Sequence, residues 1–302
     1  MAVKTKWAII GTGYIANQFA SGMRAVEDAI LEAVVSRSEN SGKKFAQNYG
    51  CEKVYTDLKT MLDTEKIDIV YLAIPNSCHF EYIMEILERG IPVLSEKPMV
   101  DNGKQLTQVL NKAKEKNTFL MEGMWTRCFP AVIQTRNWIK EGRIGKPLTV
   151  RAGFDIKPDI DDWQPWKAGI KYAAGALRDV GIYSNMKSNG EVDECFQMLL
   201  TYSEGRAAIL SGAFNQIGNA EVEIVGEEGK ILIGPEFWHP TTAKLILNNG
   251  KKECFSEEYC ETGFQYEIQE VMKCLEQGKK ECPHFTWKES IAIGELIEKT
   301  RK

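Results

Sequence analysis

The chain has 302 residues, 43% of them hydrophobic and 26% charged, the composition of an ordinary globular protein able to build real cores. Its formal net charge of −4, with no basic stripe, argues against nucleic acid as the main partner. No apolar run approaches the roughly 20 residues of a membrane span, and the opening MAVKTKWAII is too short an apolar run for a signal peptide, so a cytoplasmic protein of about two domains is expected.

The first element is Trp7 to Ala20, WAIIGTGYIANQFA. It reads as a buried strand, a tight turn and the start of a helix. Gly11 permits a backbone shape that a side chain forbids, Gly13 leaves room for a pyrophosphate, and Ala16 lets helix pack on strand. The helix N-terminus then offers N–H donors and the positive end of a dipole to phosphates.

From Lys6 to Glu122 strand signals alternate with amphipathic stretches: WAII, LEAVVS, IDIVYLAI, PVLS and TFLME. Such alternation predicts parallel strands joined by crossovers, a doubly wound Rossmann sheet that binds its ligand at the carboxyl ends of the strands. Those ends are Gly11, Thr12, Gly13, Tyr14 and Ile15; Ser36 and Arg37; Ala73, Ile74, Asn76 and His79; and Glu96 with Lys97. All are candidate cofactor-binding residues. The second strand ends in Val35-Ser36-Arg37-Ser38, without the carboxylate that grips an NAD ribose, while Arg37 and the serines suit a 2′-phosphate. NADP is therefore expected in preference to NAD.

Beyond residue 123 the texture changes, giving expected domains at 1–123 and 124–302. A helix over Pro130 to Glu141 leads to the strand PLTVRAGFDI and the aromatic loop DDWQPWKAGIKY. The turns SEG, EEG and NNG between apolar runs predict hairpins of a mostly antiparallel sheet, and two helical patterns, Phe264 to Gln277 and Trp287 to Arg301, close the chain. A cleft between the domains would bring substrate to cofactor. The eight cysteines include no C-x-x-C pair and the three histidines are scattered, so no metal site is expected.

Two segments carry candidate chemistry. Ser95-Glu96-Lys97-Pro98 follows a buried strand at the cofactor edge, where an ammonium would polarise a hydroxyl or carbonyl oxygen. Gly175 to Tyr183, GALRDVGIY, places Asp179 and Tyr183 four residues apart, on one face if helical, and a tyrosine can exchange the proton that accompanies hydride transfer.

Together GTGYIA, Ala73 to His79 (AIPNSCH), SEKP and GALRDVGIY resemble the Gfo/Idh/MocA oxidoreductase family, and Met121 to Pro130 (MEGMWTRCFP) resembles its dimeric dihydrodiol and NADP-dependent xylose dehydrogenase branch. The resemblance implies an N-terminal Rossmann domain and a C-terminal α/β domain whose open sheet forms a homodimer face. It implies hydride transfer between NADP and a sugar, polyol or dihydrodiol. Lys97 matches the catalytic lysine, Asp179 the acid and Tyr183 the proton donor or acceptor. Arg127 would meet the cofactor, and Trp125, Phe154 and Trp163 would line the substrate cavity. A catalytically silent NADP-binding sensor of the same fold is the alternative. Two departures stand out. Arg178 replaces an apolar residue, and after Tyr183 a helix and a strand that relatives carry are missing before MKSNGEVDE. Either the sequence omits residues that the protein has, or the protein has lost an element beside its own site; the cost of truncating a packed helix favours the first.

Overall fold

The computed structural model describes residues 4–155, 185–188, 193–213, 217–218 and 220–300. The chain forms two compact units, Met1–Trp125 with Tyr259–Gly294, and Thr126–Glu258 with Glu295–Lys302.

The first unit is built on β1 (Thr5–Ile10), α1 (Tyr14–Met23), β2 (Ala29–Val35), α2 (Glu39–Tyr49), β3 (Lys53–Tyr55), α3 (Leu58–Thr64), β4 (Ile69–Leu72), α4 (His79–Glu88), β5 (Val93–Glu96), α5 (Gly103–Glu115) and β6 (Leu120–Gly123). Its six strands lie in the order β3-β2-β1-β4-β5-β6 and every pairing is parallel. The unbroken apolar runs of β1 and β4 follow from that arrangement, because helices cover both faces. Of the strands, β3 carries only Lys-Val-Tyr, too short for any periodicity to announce it. Helix starts are set by side chains: Ser38 caps α2, Asp57 caps α3 and Asn102 caps α5, each accepting from a backbone N–H three residues on. The order reverses between β1 and β4, which makes their carboxyl ends the ligand edge.

The sequence expectation ran the second domain from 124 to the end. The chain instead returns to the first unit at Tyr259, and aromatic packing explains why. Phe19 of α1 stacks on Tyr71 of β4 with ring centroids 3.6 Å apart, while Trp7 and Phe264 flank it at 5.4 and 5.7 Å. Phe264 begins α7 (Phe264–Glu276). A side chain at Gly22 would bring its Cβ to 2.8 Å from Phe264 Cβ, so glycine there lets α1 and α7 touch. Thr262 then donates to Gln18 O at 2.7 Å. The segment after α7 is tied to the end of the sheet, with Leu120 N donating to Lys280 O at 3.0 Å, and α8 (Trp287–Thr300) opens with Trp287 Nε1 donating to Leu120 O at 2.8 Å.

The second unit contains α6 (Pro130–Lys140), β7 (Pro147–Asp155), β8 (Asn185–Ser188), β9 (Asp193–Thr201), β10 (Ala207–Ala213), β11 (Val222–Gly226), β12 (Gly229–Ile233), β13 (Thr242–Leu247) and β14 (Lys252–Ser256). Its eight strands run β14-β13-β12-β11-β7-β10-β9-β8, antiparallel throughout except for the parallel β7–β10 pair. The three expected hairpins are β9–β10, β11–β12 and β13–β14. Trp138 of α6 packs with Ile144, Ile231 and Leu245 in a buried cluster and donates to Glu253 Oε1 at 3.1 Å. Among the described residues, no helix is long and apolar enough to cross a membrane.

Phe19 is the hinge of the aromatic cluster, so Phe19→Ala should cost about 3–5 kcal/mol in denaturant unfolding. A loss below about 1 kcal/mol would show that α1, β4 and α7 do not depend on that contact.

Candidate active site

The glycine turn is built by a close approach of two strands. Ala73 N donates to Ile10 O at 2.8 Å and Gly11 N to Val35 O at 2.9 Å. Gly11 adopts φ +106°, and a Cβ there would lie 2.1 Å from Ala73 O, so no side chain fits. Gly13 is different. A Cβ on it would meet nothing within 4 Å, so nothing in the described fold demands glycine at that position. The open space suits a group from outside the chain.

Gly13 precedes α1 without a side-chain cap, and the first turn of α1 holds no acidic residue. The donors and the positive dipole end are thus left for an anion. Asn17 Nδ2 braces the turn from behind by donating to Gly13 O at 2.8 Å and Thr12 O at 3.2 Å, and Tyr49 donates its hydroxyl to Asn17. Tyr14 is 77% exposed, beside the same turn. These features fit a dinucleotide pyrophosphate.

Thr12 Oγ1 and Ser36 Oγ lie 3.3 Å apart, which ties the glycine turn to the end of β2. Ser38 is spent on capping α2. Arg37 is exposed and among the described residues makes no hydrogen bond or ion pair. It is the cation of that edge.

His79 stands differently from its expected role as a cofactor contact. It is fully buried, with Nε2 2.9 Å from Ile74 O and Nδ1 3.0 Å from Pro98 O. Burial holds its pKa below the ordinary value against the pull of those carbonyls. Its place is a strut between the loops that follow β4 and β5. Ala73 and Ile74 lead into a single turn at Asn76–Cys78, and α4 follows.

Around Lys97 the structure adds three residues that sequence reasoning missed. Tyr71 donates its hydroxyl to Glu96 Oε1 at 2.6 Å in the core. Glu122 of β6 accepts from Met99 N at 2.9 Å and from Ser290 Oγ at 2.6 Å, which pins the segment that follows Lys97. Burial raises the Glu122 pKa, while Ser290, Met99 N–H and the Lys97 ammonium act in the other sense. Glu267 of α7 is completely buried, and neither of its oxygens has a hydrogen-bond partner among the described residues. Burial lifts its pKa well above the carboxylate range, and Glu96 lifts it further. The signal for both was a glutamate inside an apolar pattern, TFLME for one and YEIQEV for the other.

Gly11–Ile15, Ser36–Arg37, Ala73–Asn76 and Glu96–Lys97 therefore share the carboxyl edge of one parallel sheet. Trp125 belongs to the same unit and stacks on Phe264 at 4.4 Å. Arg127 and Phe154 belong to the other unit, where Phe154 packs against Trp238 at 4.4 Å and Phe237 at 5.6 Å. Trp163, Asp179 and Tyr183 lie outside the described residues.

A carboxyl with a raised folded pKa holds more protons folded than unfolded, so its contribution is present at low pH and is lost as pH rises above the ordinary glutamate value of 4.5. Wild type should lose stability relative to Glu267→Gln as pH rises from about 4 to about 8, read as diverging urea midpoints. Parallel midpoints would show that Glu267 does not titrate with folding.

The family model for the oxidoreductase family with an NAD-binding Rossmann fold, GFO_IDH_MocA, matches residues 5–124. Over 324 aligned residues the chain is 30% identical to trans-1,2-dihydrobenzene-1,2-diol dehydrogenase of Xenopus laevis, covering 97% of this chain and 96% of that protein. It is 26% identical to scyllo-inositol 2-dehydrogenase (NADP(+)) IolU of Bacillus subtilis, covering 98% and 96%. The fold matches that of KijD10, a 3-ketoreductase from Actinomadura kijaniata solved with NADP, at a TM-score of 0.82 and 21% identity, covering 99% of this chain and 97% of that one. The amphibian match spans 324 positions against a chain of 302, so that relative carries residues with no counterpart here. Both the near full-length likeness and the matched Rossmann segment lead to one conclusion: the chain belongs to the Gfo/Idh/MocA oxidoreductase family.

Proposed function

We propose that the protein is an NADP-dependent dehydrogenase of a sugar, polyol or trans-dihydrodiol. The observation that carries this reading is the placement of Lys97 directly after β5, on the same sheet edge as the uncapped, glycine-opened start of α1. Bound nicotinamide would supply the hydride acceptor in oxidation and the donor in reduction.

The chain's own residues divide the rest. The first turn of α1 holds the pyrophosphate, and Arg37 takes the 2′-phosphate by charge-assisted hydrogen bonds. Lys97 holds the substrate oxygen and stabilises negative charge as the carbinol hydrogen departs, and Tyr183, beside Asp179 in sequence, exchanges the hydroxyl proton. Glu122 keeps the segment after Lys97 in place. Trp125, Phe154 and Trp163 are the aromatic faces offered to a sugar ring or a planar diol. The relatives named for dihydrodiol and inositol substrates, and the NADP named with IolU and KijD10, support this assignment.

A homodimer through the second sheet is part of the proposal. Leu199 and Ile209, directly paired across β9 and β10, are 61% and 46% exposed on one face, an apolar patch of the kind that partners cover. The eight cysteines are unbridged, which suits the reducing cytoplasm.

Lys97→Met should lower kcat by about 10²–10⁴-fold in a screen of aldoses, inositols and dihydrodiols while NADPH binding persists. Turnover near wild type would remove Lys97 from the chemistry. Arg37→Ala should raise the KM for NADPH by about ten-fold or more and leave that for NADH unchanged, and an equal effect on both would refute the phosphate contact.

A further inference from the structure

Away from the sheet edge, the end of α7 and the loop after it bring three metal-ligating side chains together, with His284 beside one of them. Glu270 and Cys274 stand one turn apart on α7, and Cys282 and His284 follow in the loop. The ligand atoms of Glu270, Cys274 and Cys282 all lie within 4.8 Å of one another. Cys274 Sγ lies 3.7 Å from Glu270 Oε1, and His284 Nε2 lies 3.6 Å from the same oxygen. The sulfurs of Cys274 and Cys282 lie within 4.8 Å of each other. A short β-bridge between Cys282 and Phe285 holds the loop in register.

These separations have a meaning. Tetrahedral zinc bonds sulfur at about 2.3 Å and nitrogen or oxygen at about 2.0–2.2 Å, which sets the edges of the tetrahedron at about 3.8 Å for two sulfurs, about 3.5 Å for sulfur and oxygen, and about 3.4 Å for oxygen and nitrogen. The observed 3.7 Å between Cys274 Sγ and Glu270 Oε1 lies close to the sulfur–oxygen edge. Two thiols, an imidazole and a carboxylate form a donor set for a borderline-soft cation, unlike the all-oxygen sets of calcium and magnesium. Both sulfurs are fully buried, whereas the Glu270 and His284 side chains are 11% and 23% exposed, so the cluster has a sealed back and an open front. Lys273, 3.7 Å from Glu270 Oε2, pairs with the other carboxylate oxygen.

We infer that Glu270, Cys274 and Cys282 form the core of a binding site for one zinc-class divalent cation, which the imidazole of His284, in contact with Glu270, turns in to complete. Binding replaces the two thiol protons, which pass to solvent, by two sulfur–metal bonds, and no redox change is involved. The E-x-x-x-C and C-x-H spacings hide the site from a search for C-x-x-C, because one pair comes from a helical turn and the other from a loop. The cation would lock the end of α7 to residues 279–286. That stretch supplies Lys280 O to Leu120 N and runs directly into Trp287 and Ser290, the residues that hold β6 and Glu122. Its role is structural, and it supports the Lys97 loop from a distance.

The test uses the full-length protein, reduced and stripped of metal, titrated with Co²⁺ and then with Zn²⁺. One equivalent of Co²⁺ should give the intense visible bands of a tetrahedral site and thiolate charge-transfer absorption, and Zn²⁺ should displace both. His284→Ala, a change at a partly exposed residue that leaves the core intact, should weaken Co²⁺ binding by about ten-fold or more, and Cys274→Ser with Cys282→Ser should abolish the charge-transfer band. Failure of the reduced wild type to bind a stoichiometric metal would overturn the inference, as would a His284→Ala variant that binds like wild type. A Cys274–Cys282 disulfide that forms in air, together with no metal uptake by the reduced protein, would assign the pair to redox chemistry instead. Nucleotide titration of the same samples keeps this result separate from the dehydrogenase reading.

Discussion

The structure depends first on how closely two parallel strands approach at the foot of the glycine turn. The carbonyl of Ala73 occupies the place where a side chain at position 11 would be, and the positive φ of Gly11 turns the chain there. From that contact follow the direction of α1, the exposure of its first donors and the tie between Thr12 and Ser36. Gly13, by contrast, is unconstrained by its neighbours. One glycine serves the fold and the other leaves space for a ligand.

Beneath the Lys97 loop lies a second constraint, a set of carboxylates held in the core. Glu96 and Glu122 are satisfied by Tyr71, Met99 N–H and Ser290, whereas Glu267 has no partner among the described residues. Burying a carboxyl without a partner is costly, and protonation is how such a group lowers the cost. The return of Tyr259–Gly294 to the first unit matters here, because it delivers both Glu267 and Ser290 to the neighbourhood of a loop more than 160 residues earlier in the chain.

Much of this was legible from residues alone. Continuous apolar runs separated by amphipathic stretches gave the parallel strands, and SEG, EEG and NNG marked the hairpins. What was not legible depends on contacts between distant segments. Nothing local in GFQYEIQEV says that Phe264 will meet Gly22, so the late helices read as part of the second domain. A histidine at the carboxyl edge reads as a ligand contact, but His79 is buried with its ring nitrogens 3.0 and 2.9 Å from the Pro98 and Ile74 carbonyl oxygens. The glutamates of TFLME and YEIQEV gave no sign of their partners, and Glu270, Cys274 and Cys282 meet only after the loop has folded. Strand β3 was too short to carry a period.

The central claim is that the carboxyl edge of the first sheet holds NADP, with Arg37 selecting the phosphorylated nucleotide. Fluorescence titration of the purified protein with NADPH and, separately, with NADH tests it most directly. The account predicts saturable NADPH binding at least about ten-fold tighter than NADH binding, the free energy of one charge-assisted contact. Binding of neither nucleotide, or tighter binding of NADH, would contradict it.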